Sequence, residues 1–419
     1  MINQLEKDPK EFDKNLEALR GFLALFVASS HIIGVHNRFH PERANSIFTF
    51  QPPGHLSVLM FFILSGHVIE LTNRKKISLS TISTYLKRRI IRIYPIYFTS
   101  IVLALLVTNE QYSWTKIIHN LTFTQVIYTD IIGENAPTWS LCYEILYYLL
   151  FIPIVLTKVT PFAVIAIALG VGLVNFNFYP KLGSAVISSS AFGFVFWVTG
   201  LLAARYFTQR QAVAPRVLIS SLLLFLSLSK LDVLTPFFNY RFRLLFHYDV
   251  AFPTDTDWFN AAISFYDLAF IPYGLLLILN FTGKHFLLRK YSMLLVYTLP
   301  SYAIYIHLKR AGANLQLDSS LIIPIALYIS SVLILFFRNS VTEQAAEYLL
   351  RIGTNLGGIS YGIYITHYPI VYALRQTSFF DVSGFAFLPR FLGFIAAVLF
   401  LSYLLEKKLQ PWVKQVAIA

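Results

Sequence analysis

The segment LRGFLALFVASSH, Leu19 to His31, sets how the rest of the chain is read. Its interior is apolar, yet an arginine stands near its start and a histidine at its end. Eleven positions separate Arg20 from His31. At about 100° per residue this is three turns plus roughly 20°, so a helix carries both on one face, about 16 Å apart along its axis. An ionisable side chain within a membrane span costs about 2.5–3.5 kcal/mol on insertion scales and turns toward protein rather than lipid. Arg20 alone reads as a basic anchor, and His31 alone as a hydrogen-bonded packing histidine. Their shared face is what points to chemistry.

The same apolar character extends along the chain. Of 419 residues, 56% are hydrophobic and 13% charged, against about 25% charged in an ordinary soluble domain. Mean hydropathy is +0.61. Such a chain cannot cover its surface with polar groups, so lipid must be a large part of its solvent. Short alternating segments of a transmembrane barrel are absent. The expected fold is therefore all-α, a polytopic transmembrane helical bundle of about ten to twelve spans. The candidate runs lie near 19–37, 55–72, 90–108, 138–157, 161–179, 189–207, 215–234, 261–281, 291–308, 319–337, 356–374 and 386–405. Residues 1–18 read as a cytoplasmic N-terminal segment, 19–405 as the membrane domain and 406–419 as a cytoplasmic tail. An amphipathic stretch at 109–137 is placed outside the bilayer core, and 235–260, rich in Asp, Pro and aromatics, reads as a loop.

The formal charge of +13 does not indicate nucleic-acid binding, because the basic residues sit between apolar runs as topology signals do. With the N-terminus in the cytoplasm, Lys7, Lys10, Lys14 and Arg20 fall inside. So do Arg74, Lys75, Lys76, Lys87, Arg88, Arg89 and Arg92, and later Arg205, Arg210, Arg216, Lys284, Arg289, Lys290, Lys407 and Lys408. Both termini are then cytoplasmic. The single cysteine, Cys142, excludes an intrachain disulfide and a multi-cysteine metal site, and no metal is expected. The polar, mixed-charge first residues do not form a cleavable signal peptide.

Four more stretches carry polar residues into apolar surroundings. In YLKRRIIRIYPIYF, Tyr85–Phe98, Arg88 and Arg92 are four apart and Arg89 and Arg92 three apart, so either pair can share a face. Guanidinium forks match phosphate oxygens, although anionic headgroups would also satisfy them. In PTWSLCYEILYYLLF, Pro137–Phe151, Glu144 stands about a turn and a half into a span and needs a partner: His31, an arginine or a tyrosine hydroxyl. In FFILSGHVIEL, Phe61–Leu71, Ser65 and Gly66 permit close helix contact, with His67 and Glu70 adding polarity. In LGGISYGIYITHYPIVY, Leu356–Tyr372, Ser360, Tyr364 and His367 recur on one face. The P-loop, HExxH and GxSxG patterns are absent, so any chemistry must come from a few intramembrane side chains.

Together these stretches resemble the acyltransferase-3 family of integral membrane acyltransferases. LEALRGFLALFVASSH is similar to the family's opening helix, FFILSGHVI to its second-helix signature, and RRIIRIYPIYF to its Arg-x-x-Arg signature, here Arg89 and Arg92. TWSLCYEILYYLLFIP resembles the stretch containing Trp139, Ser140 and Glu144, while FWVTGLLAARYF and LGGISYGIYITHYPI match looser later ones. The resemblance implies transfer of an acyl group, often acetyl, from cytoplasmic acyl-CoA to a hydroxyl of an extracytoplasmic glycan or related acceptor. It makes His31 essential and associates Arg20, Arg89 and Arg92 with the donor. His67 stands where the family usually has a bulky apolar residue, 285–350 looks longer than the common core, and no hydrolase-like domain follows.

The expected reaction is O-acyl transfer with His31 as general base and Glu144 orienting or charge-stabilising the imidazole. Arg20, Arg88, Arg89 and Arg92 are the expected acyl-CoA-binding residues, and Ser65, Tyr94, Trp139, Ser140 and His367 the supporting ones. Acyl-CoA is a cosubstrate and no permanently bound cofactor is expected. The expected location is a bacterial cytoplasmic (inner) membrane. Two other readings remain open at this point: a transporter or flippase without covalent chemistry, and transfer to the amine of an amino sugar.

Overall fold

A computed structural model describes residues 9–41, 50–73, 77–178, 184–246, 262–311, 319–382 and 384–418. Lys7, Arg74, Lys75 and Lys76 of the basic set, and residues 247–260 of the loop expected at 235–260, lie outside the described residues; the described part of that loop, 235–246, is instead helical, within Leu234–Phe246. Among the described residues the fold is all-helical, without a strand. The first half holds α1 (Pro9–Phe39), α2 (Gly54–Asn73), α3 (Ile82–Val107), the short α4 (Trp114–Leu121), α5 (Trp139–Thr157), α6 (Pro161–Phe178), α7 (Ala185–Tyr206) and α8 (Pro215–Leu231). The second half holds α9 (Leu234–Phe246), α10 (Ile271–Phe281), α11 (Arg289–Ala311), α12 (Ile322–Phe336), α13 (Ser340–Gly357), α14 (Ser360–Arg375), α15 (Phe387–Leu404) and α16 (Gln410–Ile418).

Most apolar runs expected to span lie on one helix, whereas 215–234 is divided between α8 and α9, 261–281 holds only the short α10 after a 3-10 turn, and 356–374 crosses from the end of α13 into α14. By length and apolarity, 7 helices among the described residues are able to cross a membrane, or up to 8 if α8 and the start of α9, bent by 46°, form one broken span. Pro161–Phe176 and Phe265–Phe281 are shorter apolar helices. The expected ten to twelve spans include those two, together with α11, which is interrupted by Pro300 and His307, and the 16-residue α14.

Helices in lipid gain little from the hydrophobic effect against one another, so close packing of small residues decides their contacts. A Cβ on Gly66 would come 1.9 Å from the Trp197 carbonyl, and one on Gly200 2.0 Å from the Ile63 carbonyl. These glycines let the backbones of α2 and α7 touch. Gly21 and Gly357 do the same for α1 and α13: their Cβ atoms would lie 2.2 Å from the Gly353 carbonyl and 2.1 Å from the Glu17 carbonyl. That contact engages α1 below Leu19, so α1 begins well inside the segment expected to be an extramembrane lead.

Polar groups within the bundle are paired across helices. Glu70 of α2 accepts from Arg205 Nε and Nη2 of α7 at 2.7 and 3.1 Å. Ser220 and Ser331 each donate to the other's carbonyl at 2.7 and 2.8 Å, joining α8 to α12. Arg216 of α8 pairs with Glu343 of α13 at 2.9 Å. The long 285–350 segment thus forms α11, α12 and most of α13, with α12 and α13 packed on α8 and α13 also on α1. Lys284, expected only as a topology charge, is buried, and its Nζ donates to the carbonyls of Ala203, Ala204 and Phe207 at 2.9, 3.0 and 2.6 Å. It satisfies carbonyls that the end of α7 leaves open. Burial, with Arg210 nearby, lowers its pKa to about 8.

Two segments frame the site. The 109–137 stretch folds back on α3: Tyr97 donates to the Asn120 carbonyl, and buried Gln125 donates to Tyr97 Oη and the Thr138 carbonyl, both at 3.1 Å. This pins the turn that delivers Pro137, Trp139 and Ser140. At the other end, α15 continues through a wide π turn, Leu405–Leu409, into α16. The expected tail is therefore helical, and Glu406 of the π turn accepts from the Gly362 amide at 3.2 Å, fixing the start of α14.

Candidate active site

Arg20 and His31 do share a face of α1, and they open on two different cavities. Arg20 lines a cavity of about 120 Å³ with Ser65, Arg89, Arg92, Ser140, Glu144, Tyr148, Tyr361 and Tyr364 among its walls. His31 lines a larger one, about 550 Å³, with Ser30, Arg38, Gln51, His55, Trp139, Tyr364 and Tyr368. Val58 and Tyr364 belong to both linings.

The smaller cavity is rich in guanidinium. Arg20 Nη1 donates to Glu17 Oε1 at 2.9 Å, one helical turn away. Arg89 lies between two aromatic faces, with its guanidinium carbon 5.7 Å from the Tyr85 ring centre and 5.7 Å from that of Tyr148. Its Nε is buried without a hydrogen-bond partner. Arg92 feels the charges of Arg20, Arg89 and Glu406 but makes no hydrogen bond or ion pair among the described residues. Glu17 satisfies part of Arg20, but the donors of Arg89 and Arg92 left open toward this space can take a further anion. Arg88 is exposed and does not line this cavity; of the two pairings the spacing allowed, only Arg89 with Arg92 faces inward.

Glu144 belongs to this cavity too, and does not pair with His31. Ser65 Oγ donates to Glu144 Oε1 at 2.8 Å, and the Tyr148 hydroxyl donates to the same oxygen. Trp197 Nε1 in turn donates to Ser65 Oγ at 3.2 Å. The expected carboxylate–imidazole pair is replaced because Tyr148, four residues on, presents its hydroxyl along the same helix face.

His31 finds its partner 336 residues away. Its Nδ1 lies 2.7 Å from His367 Nε2, with the rings parallel within 4° and their centres 4.9 Å apart. His367 is fully buried, and its Nδ1 lies 3.1 Å from the Ile363 carbonyl. A carbonyl only accepts, so with both rings neutral His367 carries its proton on Nδ1 and offers a lone pair at Nε2. His31 must then donate from Nδ1, which leaves the lone pair of its own Nε2 unengaged. Tyr368 holds the His31 ring edge-on, with centres 5.2 Å apart at 88°. The remaining expected residues divide simply. Trp139 lines the His31 cavity and Ser140 the arginine cavity. Tyr94 packs against Phe98 and Phe123, away from both.

Sequence reading did not single out Tyr148, Tyr361, Arg38, Gln51 or His55. Tyr148 carried a signal in its spacing of four from Glu144. Gln51 donates to the Ser30 carbonyl and hydroxyl, each at 3.1 Å, and His55 Nε2 donates to Asp267 at 3.0 Å; both contacts are long-range and have no local signature. Among the described residues, no cluster of His, Cys, Asp and Glu could hold a metal ion.

A family model described as an acyltransferase domain, that of acyltransferase-3, matches residues 13–305. The chain belongs to the acyltransferase-3 family. Acyltransferase MdmB from Streptomyces mycarofaciens is 28% identical over 148 residues, covering 33% of this chain and 38% of that protein's length. No solved structure matches. The acyltransferase-3 match includes Arg20, His31, Arg89, Arg92, Ser140 and Glu144, whereas Tyr364 and His367 lie beyond it and reach the site through the packing of α14 on α1.

Proposed function

We propose that this protein is a membrane O-acyltransferase that uses acyl-CoA, with acetyl as the acyl group, and a hydroxyl of an extracytoplasmic glycan or related acceptor. The observation that carries the reading is the pair of abutting cavities: one lined by arginines with unmet hydrogen-bonding capacity, the other by an imidazole with an unengaged nitrogen. The CoA phosphates take the place of the missing anion at Arg89 and Arg92, with Arg20 beside them. The acceptor hydroxyl enters the larger cavity. Its oxygen attacks the thioester carbonyl carbon while His31 Nε2 takes its proton. The carbon–sulfur bond then breaks, and the CoA thiolate leaves and recovers that proton from His31. His367 keeps His31 in the required tautomer, the part an aspartate takes in a triad. Glu144, held by Ser65 and Tyr148, orders the arginine side of the site.

In this reading about ten to twelve helices cross a bacterial cytoplasmic membrane, with both termini cytoplasmic and the arginine cavity facing the cell interior. The test uses the purified full-length protein in detergent or nanodiscs. It should bind acetyl-CoA by calorimetry and release free thiol from it slowly, with water as acceptor. A protein that neither binds acetyl-CoA nor releases thiol sinks the reading and leaves the transporter class.

A further inference from the structure

The geometry points to the Tyr364 hydroxyl as a catalytic hydrogen-bond donor that stabilises the oxyanion formed when the thioester is attacked. The inference rests on the acyl-transfer reading and adds a residue to it. If the phosphates stay on the arginines and the proton goes to His31 Nε2, the carbonyl carbon has to lie where the two cavities meet. The linings overlap at Val58 and Tyr364. Val58 is apolar, so of the two residues only Tyr364 offers a proton at that boundary.

The surroundings leave that proton available. Ser140 Oγ lies 3.0 Å from the Pro137 carbonyl and 2.6 Å from the Tyr364 hydroxyl, which itself lies 3.2 Å from the same carbonyl. With Ser140 donating over the shorter path to Pro137, the phenol donates to Ser140 Oγ. Turning that O–H toward an incoming carbonyl oxygen costs one neutral hydrogen bond, and the negative charge that develops there makes a stronger one. Position and rigidity are also set. Tyr364 is three residues before His367 on α14, with ring centres 6.3 Å apart, and Phe61 packs edge-on at 5.7 Å. The acidic proton and His367, which positions the base His31, are therefore mounted on one buried helix, α14. A donor already aimed where charge will appear needs no reorganisation during the reaction, which is the condition for a large electrostatic contribution.

The test compares wild type, Tyr364→Phe and Ser140→Ala as full-length protein, reading thiol release from acetyl-CoA and acetyl-CoA affinity separately. Tyr364→Phe keeps the ring and removes the donor, so kcat should fall by about 10²–10³ while the acetyl-CoA Kd stays within about twofold. Ser140→Ala keeps the phenol but loosens it, and should lower kcat by a smaller factor. Undiminished release by Tyr364→Phe, with normal release by wild type, overturns Tyr364 alone. If that variant is not recovered folded, undiminished release by Ser140→Ala overturns it. Absence of release by the wild type overturns the parent reading and the Tyr364 assignment with it.

Discussion

The arginine cavity and the histidine cavity share a boundary, but they are assembled in opposite ways. The first draws two of its pairs from short stretches, Arg89 and Arg92 one turn apart on α3 and Glu144 and Tyr148 one turn apart on α5, with Arg20 of α1 and Ser65 of α2 added from elsewhere. The histidine cavity depends on contacts across the chain, above all His31 with His367 at 2.7 Å. They differ in size as well, about 120 against about 550 Å³. On the proposed reading, a small cavity lined by guanidinium groups suits a donor that always presents the same phosphates. A roomier one, lined by Trp139, Tyr368, Gln51 and Arg38, suits an acceptor that has to bring one hydroxyl to a fixed imidazole. Binding of the donor and activation of the acceptor should therefore be separable by mutation.

The largest separation is expected at His31. Replacing it with alanine should lower kcat by about 10²–10⁴, the usual contribution of a general base, while calorimetric acetyl-CoA affinity stays near wild type. Loss of affinity together with rate would mean that the two cavities are not functionally distinct. The converse change is Arg89→Ala or Arg92→Ala. Each removes a hydrogen-bond donor to a charged group worth about 1.5–3 kcal/mol, so Kd for acetyl-CoA should rise by roughly 10- to 150-fold, and the wild-type affinity should weaken with added salt. Unchanged CoA affinity in both variants would contradict the donor role of this cavity.

A structural control follows from α2, which contributes walls to both sites. Gly200→Ala would press a methyl group against the Ile63 carbonyl, 2.0 Å away in the present packing. Overpacking of this kind costs about 1–3 kcal/mol, so the melting temperature should drop by several degrees; an unchanged value would show that α2 and α7 tolerate separation. The smallest effect is expected at His367. His367→Phe preserves the ring volume but removes the acceptor for His31 Nδ1, one neutral hydrogen bond of about 0.5–1.5 kcal/mol. Turnover should fall roughly two- to tenfold with no change in donor binding, and a wild-type rate would remove His367 from the positioning role.

Much of the helical framework is legible in the order of residues. The helix positions largely follow from apolar runs, because a backbone in lipid has to satisfy its own hydrogen bonds, and most of those runs lie on one helix. The shared face of Arg20 and His31 follows from helical period, which also allows Arg92 to pair with either Arg88 or Arg89. Glu144 is recognisable as a residue needing a partner, and a tyrosine hydroxyl is among the partners its surroundings allow. Its assignment to His31 is not supported, because a spacing rule sees Tyr148 four residues away but cannot say which distant helix the carboxylate faces. Arg88 illustrates the same limit. It is one residue from Arg89, and only the packing of α3 shows that one points into the cavity and the other to the outside.

Sequence alone determined what is local: which segments must be helical, which polar residues cannot face lipid, and which side chains share a helix face. These follow from covalent geometry and the energy of placing charge in hydrocarbon, neither of which needs a partner helix. The tertiary structure decided that His31 meets His367, that Glu144 sits with the arginines, and that Tyr364 stands between the two cavities. Those outcomes depend on how close two backbones can come, which here is set by glycines at the helix crossings and by a π turn that fixes the start of α14. Packing of that kind is a property of surfaces meeting in space, and no period in the chain encodes it.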